Sequence, residues 1–386
     1  MSDDPWQRFG ARLAALAARL AADDFPADPH ARAEGHRHLA RLTAFALQWF
    51  VDFGDPLHPA FLRFDDDVLK WGGPNADNTY LRARVDPRET YRLWADVRGV
   101  RALIVSTPEG DLQMGAQRVF AERSLQELTV APDGHLEVTL SPDPQPDNWI
   151  PLAPGVDHVL IRQYVSDWEH DVTVPFHIER VGHEGEAPPA PTPAGVAAAL
   201  DRAAAWIERT VVHWNTYLAA RMREMPPNAM GAPRQVPGGA ADILYGAGSW
   251  QLRDDEALVI RCTPPRARYW SIQLYSPHWF ESLDIANRTN SFTGHTAYVD
   301  DDGDVRFVVA ARDPGVPNWL DTEGRPTGLV SYRWVWTETT PVPIAERVRL
   351  ASLADHLPES HPRLDAGARV EQIRRRRAAV TNRFRR

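Results

Sequence analysis

Residues 148–165, NWIPLAPGVDHVLIRQYV, and 318–335, NWLDTEGRPTGLVSYRWV, carry one pattern twice: Asn-Trp, a Gly, then a strand with Arg, an aromatic residue and Val. A repeat constrains a fold strongly, because each copy must bury its apolar face in the same way. The copies stay aligned upstream. LTVAPDGHLEVTLSPDPQPDNW (128–149) matches AYVDDDGDVRFVVAARDPGVPNW (297–319), each reading as an alternating strand, an Asp-Gly turn and a second strand. Asp-Gly between alternating apolar runs signals a hairpin, since Gly takes the positive φ of the tight turn. ETYRLWADVRGVRALIVSTPEG (89–110) matches EALVIRCTPPRARYWSIQLYSP (256–277), and DNTYLRARVDP (77–87) parallels DILYGAGSWQL (242–252).

Stretches with apolar residues at three- and four-residue spacing, at 32–53 and 194–222, predict an amphipathic helix ahead of each β-unit. The predicted organisation is an N-terminal helical segment (1–70), a first β-unit (77–182), a Pro-rich linker and helix (183–241), a second β-unit (242–350) and a basic helical tail (351–386). A Pro/Gly loop is expected over 224–242. With roughly six short strands expected per unit, the fold class is mainly β with α-helical segments (α+β), an internal duplication of a helix plus antiparallel β-unit, β-sandwich or jelly-roll-like.

Residues 254–336, from DDEALVIRCTPPRARYWSIQLYSPHW through NWLDTEGRPTGLVSYRWVW, resemble the bacterial family known as domain of unknown function 1214, and the first unit looks like a diverged relative. The resemblance implies a β-sandwich or jelly-roll architecture and a pocket for a small molecule. It implies no particular reaction. Larger relatives pair this domain with a second β-domain, whereas here its partner is the first half of the repeat.

A net charge of -9 argues against a nucleic-acid partner, which normally requires a basic face. The basic run RVEQIRRRRAAVTNRFRR (369–386) reads as a solvated helix end favoured by the helix dipole, with an acidic partner as the alternative. MSDDPWQRFG lacks the basic start and apolar run of a secretory signal, and no stretch approaches the roughly 18 apolar residues of a membrane span. A cytoplasmic protein without a membrane partner is expected. Cys262, the single cysteine, reads as a small core residue within a strand. Lys occurs only at position 70, so Schiff-base chemistry would have to use Lys70, whose surroundings resemble no such site.

No His-Glu-x-x-His helix, phosphate loop or nucleophile elbow is present, and in YGAGSWQL the order of Gly246, Gly248 and Ser249 is wrong for the elbow. His36 and His38, two apart on a helix, diverge too far for one metal. His158, His170 and His177, near Asp167, Glu169 and Asp171, read as scattered surface histidines, since the other copy has no matching set. DDDGD (300–304) suggests a calcium loop, but its counterpart PDG (132–134) keeps the turn and loses the acids, so turn chemistry explains it. No cofactor and no metal are expected.

Arg162 and Arg333 hold equivalent places in the two copies. Each must reach water or an acceptor, either bracing its Asn-Trp loop through carbonyls or an acid such as Asp313 or Asp321, or, for Arg333, offering a planar fork to a substrate. The second unit alone carries SPHWFESLDIANRTNSFTGH (276–295), a long connection rich in hydrogen-bonding groups. His278, paired with Glu281 or Asp284, and His295 are candidate bases, with Arg333 as the third catalytic group. Tyr245, Trp250, Tyr269, Gln273, Trp279, Arg288, Asn290, Asn318 and Trp336 are candidate substrate contacts, an aromatic pocket with a few orienting polar groups. The reading that follows is a cofactor-independent enzyme, a lyase, isomerase or hydrolase, acting on a small, largely apolar oxygenated metabolite. Its alternatives are a non-catalytic β-sandwich module that binds a glycan, on exposed Trp faces, or a small molecule, or an assembly protein and possible homo-oligomer.

Overall fold

Both copies of the repeat build a pair of sheets with the same strand order. This emerges from a computed structural model that describes residues 4–22, 25–116, 118–236 and 239–385. Pro237 and Gly238 of the expected Pro/Gly loop, residues 1–3 of the N-terminal stretch and Arg386 of the basic run lie outside the described residues. Residues 1–70, 78–164 and 172–216 form one compact unit, and 71–77, 165–171 and 217–386 form the other.

The first unit begins with α1 (Pro5–Arg19) and α2 (Pro29–Leu47), whose N-caps Asp4 and Asp28 accept a backbone N–H three residues on and are each followed by Pro. Its strands are β1 (Leu62–Phe64), β2 (Asn78–Arg84), β3 (Tyr91–Asp96), β4 (Ala102–Pro108), β5 (Val119–Ser124), β6 (His135–Ser141), β7 (Trp149–Pro151), β8 (His158–Tyr164) and β9 (His177–Arg180). They form sheets ordered β1-β2-β8-β4-β5 and β7-β6-β3-β9. Helix α3 (Pro193–Glu224) leads into β10 (Ala229–Met230), β11 (Ile243–Gln251), β12 (Glu256–Cys262), β13 (Ala267–Tyr275), β14 (Ser291–Thr293), β15 (Val305–Ala310), β16 (Trp319–Asp321), β17 (Thr327–Thr337) and β18 (Ile344–Arg349), and α4 (Ala366–Phe384) follows. Their sheets run β10-β11-β17-β13-β14 and β16-β15-β12-β18. Register agrees as well: Arg162 lies opposite Tyr80 and Ile104, and Arg333 opposite Tyr245 and Ser271. The fold is mixed α and β, mainly β. Among the described residues no helix is long and apolar enough to cross a membrane.

Three expectations need correction. Among the described residues each predicted β-unit holds eight strands, β2–β9 and β11–β18, not about six, because pieces as short as β7 and β16 leave no periodic trace. Nor is the pairing wholly antiparallel, since β6–β7 and β15–β16 run parallel. The first arm of the expected hairpin forms no strand at 128–131, and in the second unit only Val299 bridges to Val305.

The repeated Asn-Trp holds that arm instead. Asn318 accepts from Tyr298 N–H at 2.8 Å and donates to the Tyr298 and Arg306 carbonyls at 2.7 and 3.0 Å. Asn148 does the same with Thr129 and Glu137, and the indoles of Trp149 and Trp319 donate to the Ser141 and Ala310 carbonyls. Asn318 is fully buried and Asn148 is not. Asn318→Ala is therefore expected to cost about 2–4 kcal/mol, from three lost bonds and the backbone groups they strand, and Asn148→Ala about 1 kcal/mol because water replaces its partners. Urea unfolding of both variants checks this, and equal losses would count against burial as the cause.

In the first unit Leu93, Leu136, Val138 and Leu140 of the smaller sheet share a core with Leu103, Val105, Val159 and Ile161 of the larger one. In the second, Leu258, Ile260, Phe307 and Val309 meet Trp270, Ile272, Leu274, Tyr332 and Trp334. Alternation in β13 sends Trp270, Ile272 and Leu274 into this core, and Tyr269, Ser271, Gln273 and Tyr275 to the opposite face. That polar face is buried too.

Candidate functional site

Residues directly opposite in an antiparallel ladder share a face. The pairings Tyr245–Arg333–Ser271 and Ser331–Gln273 therefore gather Tyr245, Tyr269, Ser271, Gln273, Tyr275, Ser331 and Arg333 on one side of the larger sheet of the second unit. Residues 71–77, WGGPNAD, lie against it. Arg333 Nη2 donates to the Gly73 carbonyl at 2.8 Å and to Tyr275 Oη at 2.7 Å, and Tyr275 Oη donates to the Pro74 carbonyl at 2.7 Å. Gln273 Oε1 accepts from Ala76 N–H at 2.9 Å, and Arg383 of α4 donates to the Ala76 carbonyl at 2.7 Å. Gly73 has φ +73°, and a Cβ there would stand 2.3 Å from Phe280 Cζ, so only Gly fits.

At the end of this segment Asp77 is wholly buried. Its carboxyl accepts from Tyr269 Oη at 2.6 Å and from Trp168 Nε1 at 2.7 Å, while Asn75 Nδ2 donates to Tyr269 Oη at 2.8 Å. Burial pushes the Asp77 carboxyl above its ordinary value, and the Tyr269 and Trp168 bonds and the charges of Arg383 and Arg376 offset only part of that. Burial and the neighbouring Asp77 push the Tyr269 hydroxyl well up, and burial raises Tyr275 to about 12. Helix α4 closes the cluster. Arg376 donates to the Ile285 and Ser291 carbonyls and to Ser291 Oγ, and its guanidinium lies 4.3 Å from the Trp168 ring centre. Arg369 bonds Asp313 and the Val316 carbonyl. Contrary to the reading of a solvated helix end, these side chains point inward.

The first unit supplies a control. Register places Ala102, Ile104 and Ser106 where the second unit has Tyr269, Ser271 and Gln273, and Pro108 where it has Tyr275. Arg162 donates there to Ser106 Oγ at 3.2 Å. The framework arginine and the tyrosine opposite it, Tyr80 or Tyr245, are shared, while Tyr269, Gln273 and Tyr275 belong to the second unit.

Of the residues marked in the sequence, Arg333, Tyr245, Tyr269 and Gln273 come together on this face. Trp250 is a core residue whose indole donates to the Arg325 carbonyl, Trp279 is buried, and the Trp336 indole donates to Asp242. The polar groups of the 276–295 connection largely engage the protein itself. Asp284 accepts from the Ala286 and Asn287 amides, Arg288 pairs with Asp321 at 3.0 Å, and Asn290 Nδ2 donates to Glu323 at 3.4 Å. His278 is half-buried, its backbone N–H on Ser276 Oγ; His295 is exposed, with Nε2 3.1 Å from Asp167. In the DDDGD turn, Asp300 and Asp302 hold Arg306 at 2.7 and 2.6 Å, and Asp300 also bonds His361. His158 bonds Asp157, His170 bonds Asp167, and His177 stacks on Trp94. His38 is buried and His36 exposed. Burial raises the Cys262 thiol to about 12 and leaves it unreactive. Among the described residues no three His, Cys, Asp or Glu side chains group as metal ligands.

Sequence reading missed Asp77, Asn75, Trp168, Tyr275, Arg376 and Arg383. One signal was available: YWSIQLY places four polar groups on a single face of β13.

The family described as Protein of unknown function (DUF1214) matches at residues 105–167 and 251–337, one segment in each unit. The crystal structure of an uncharacterized protein from Burkholderia cenocepacia is 34% identical, with a TM-score of 0.83, and the match covers 90% of this chain and 97% of that one. The VPA0106 protein from Vibrio parahaemolyticus is 15% identical with a TM-score of 0.47, over 81% of this chain and 98% of that one. No curated protein matches. Matched in both of its units, this chain belongs to the DUF1214 family.

Proposed function

We propose that the second unit binds a small molecule bearing a carbonyl or carboxylate group on the outer face of β13 and β17, and moves a proton through the Asp77–Tyr269 pair, as an isomerase or lyase. Residues 71–76 swing aside to admit it. The observation that carries this reading is the grip of Arg333 and Tyr275 on the Gly73 and Pro74 carbonyls, two buried donors each aimed at one of two neighbouring oxygens, as a carboxylate or a pair of carbonyls would present them. Gln273 Nε2 is buried without a hydrogen-bond partner among the described residues, so a donor is left for a second ligand oxygen. A carboxyl whose hold on its proton is raised by burial, hydrogen-bonded to a phenol, is suited to passing a proton. The matching strand orders and registers support descent of both units from one β-sandwich module by internal duplication, with the polar face elaborated in the second.

A thermal-shift screen of keto acids, hydroxy acids and small amides tests the site. Compounds that raise the wild-type melting temperature are expected to lose their effect in Arg333→Ala. Tyr269→Phe keeps the shift and loses turnover by about 10²–10⁴-fold. A shift indifferent to Arg333→Ala, or no shift across the panel, removes the site.

A further inference from the structure

The segment that covers the face also indicates what the face recognises. Successive peptide groups of Gly-Gly-Pro-Asn-Ala, residues 72–76, are met by side chains: Gly73 C=O by Arg333, Pro74 C=O by Tyr275, Ala76 N–H by Gln273 and Ala76 C=O by Arg383. Pro74 has no N–H, so its position leaves no donor stranded. The Asn75 side chain adds a bond to Tyr269 Oη. We infer that the ligand class of this face is a short peptide or peptide-like amide, with two consecutive carbonyl acceptors, the first of them the carbonyl of a tertiary amide, for which residues 72–76 are a tethered occupant. This rests on the reading of the face as a binding site and narrows its ligand.

A tethered occupant competes at an effective concentration of about millimolar, so free peptide binds the wild type weakly and binds well only where the tether is displaced. Gly73→Val displaces it, because its Cβ collides with the Phe280 ring and its φ is unfavourable for a β-branched residue. The probe is acetyl-Gly-Gly-Pro-Asn-Ala-amide, followed by titration calorimetry. It is expected to bind Gly73→Val about ten-fold or more tighter than the wild type, to lose that binding when Arg333→Ala is added, and to be unmatched by a peptide with Pro moved one place. Equal affinity for variant and wild type, or binding indifferent to Arg333→Ala, overturns the inference. Should Gly73→Val not melt cooperatively, Gly73→Ala replaces it. Should that also fail, millimolar peptide on the wild type, followed by ligand-observed NMR, must show weak binding that excess unlabelled peptide saturates, and its absence overturns the inference. A keto or hydroxy acid that binds where the peptide does not also overturns it, while leaving the binding site in place.

Discussion

Asp77→Leu is expected to destabilise the protein by about 3–5 kcal/mol, and Asp77→Asn by only about 1–2 kcal/mol. The leucine leaves the Tyr269 hydroxyl and the Trp168 N–H without their acceptor, inside a cluster that Arg376 and Arg383 also line. Asparagine keeps one acceptor oxygen, and the phenol can turn to accept from the new amide. Wild type and Asp77→Asn also respond differently to pH. The Asp77 carboxyl is raised in the folded protein, so folding takes up protons. The stability tied to its protonation is complete below the unfolded value near 3.8 and is lost as pH rises through the folded value. Asparagine has no such slope, so the stability of the wild type relative to Asp77→Asn should fall as pH rises from about 4 toward neutrality. Urea midpoints of both proteins across that range provide the check. A difference that grows with pH would mean the cluster prefers the carboxylate, and Tyr269–Asp77 would lose its case as a proton-transfer pair.

What could be read from the chain depended on how local the signal was. Alignment of the copies placed Tyr80 with Tyr245, Ala102 with Tyr269 and Arg162 with Arg333, and the strand registers agree at each position. This worked because period-two alternation fixes which side chains share a face. The same alternation exposed Tyr269, Gln273 and Arg333 as polar residues inside apolar strands. Asp77 and Trp168 escaped notice because they enter from 71–77 and 165–171, segments remote in sequence from β13 and without periodicity of their own. Asn318 misled for a different reason. Its amide replaces a strand partner, so a hairpin arm that looked like a ladder in the sequence is held by one side chain. The histidines of the 276–295 connection stand out in the sequence by their chemistry, whereas the ionisable groups buried around the outer face of β13 are an aspartate, two tyrosines and arginines.

Truncating the chain before α4, after residue 365, is expected to abolish cooperative folding of the second unit, a loss above about 5 kcal/mol, although the composition of the helix reads as a solvated basic tail. Arg369, Arg376 and Arg383 recur every seventh residue, close to two helical turns, so they share one face; Arg369 lies over Trp319, Arg376 and Arg383 over Trp168, and Ala379, Val380 and Phe384 pack with Ala76, Val165, Trp168 and Ile285. Removing the helix therefore exposes that cluster, strands the Ser291 and Ile285 carbonyls and frees the Ala76 carbonyl that Arg383 holds. A single change isolates the polar part. Arg376→Met keeps the hydrophobic stem and loses the three bonds and the contact with Trp168, with an expected cost of about 2–4 kcal/mol, reduced by the desolvation that a buried guanidinium no longer pays. Burial already depresses that guanidinium to about 10. The effect should hold between low and high salt, because a buried group is little screened. A tail that acted only through the helix dipole would cost less than about 1 kcal/mol to remove and would weaken as salt is added. Small salt-dependent losses for both variants would therefore return the arginines to solvent and detach α4 from the segment it holds over the sheet.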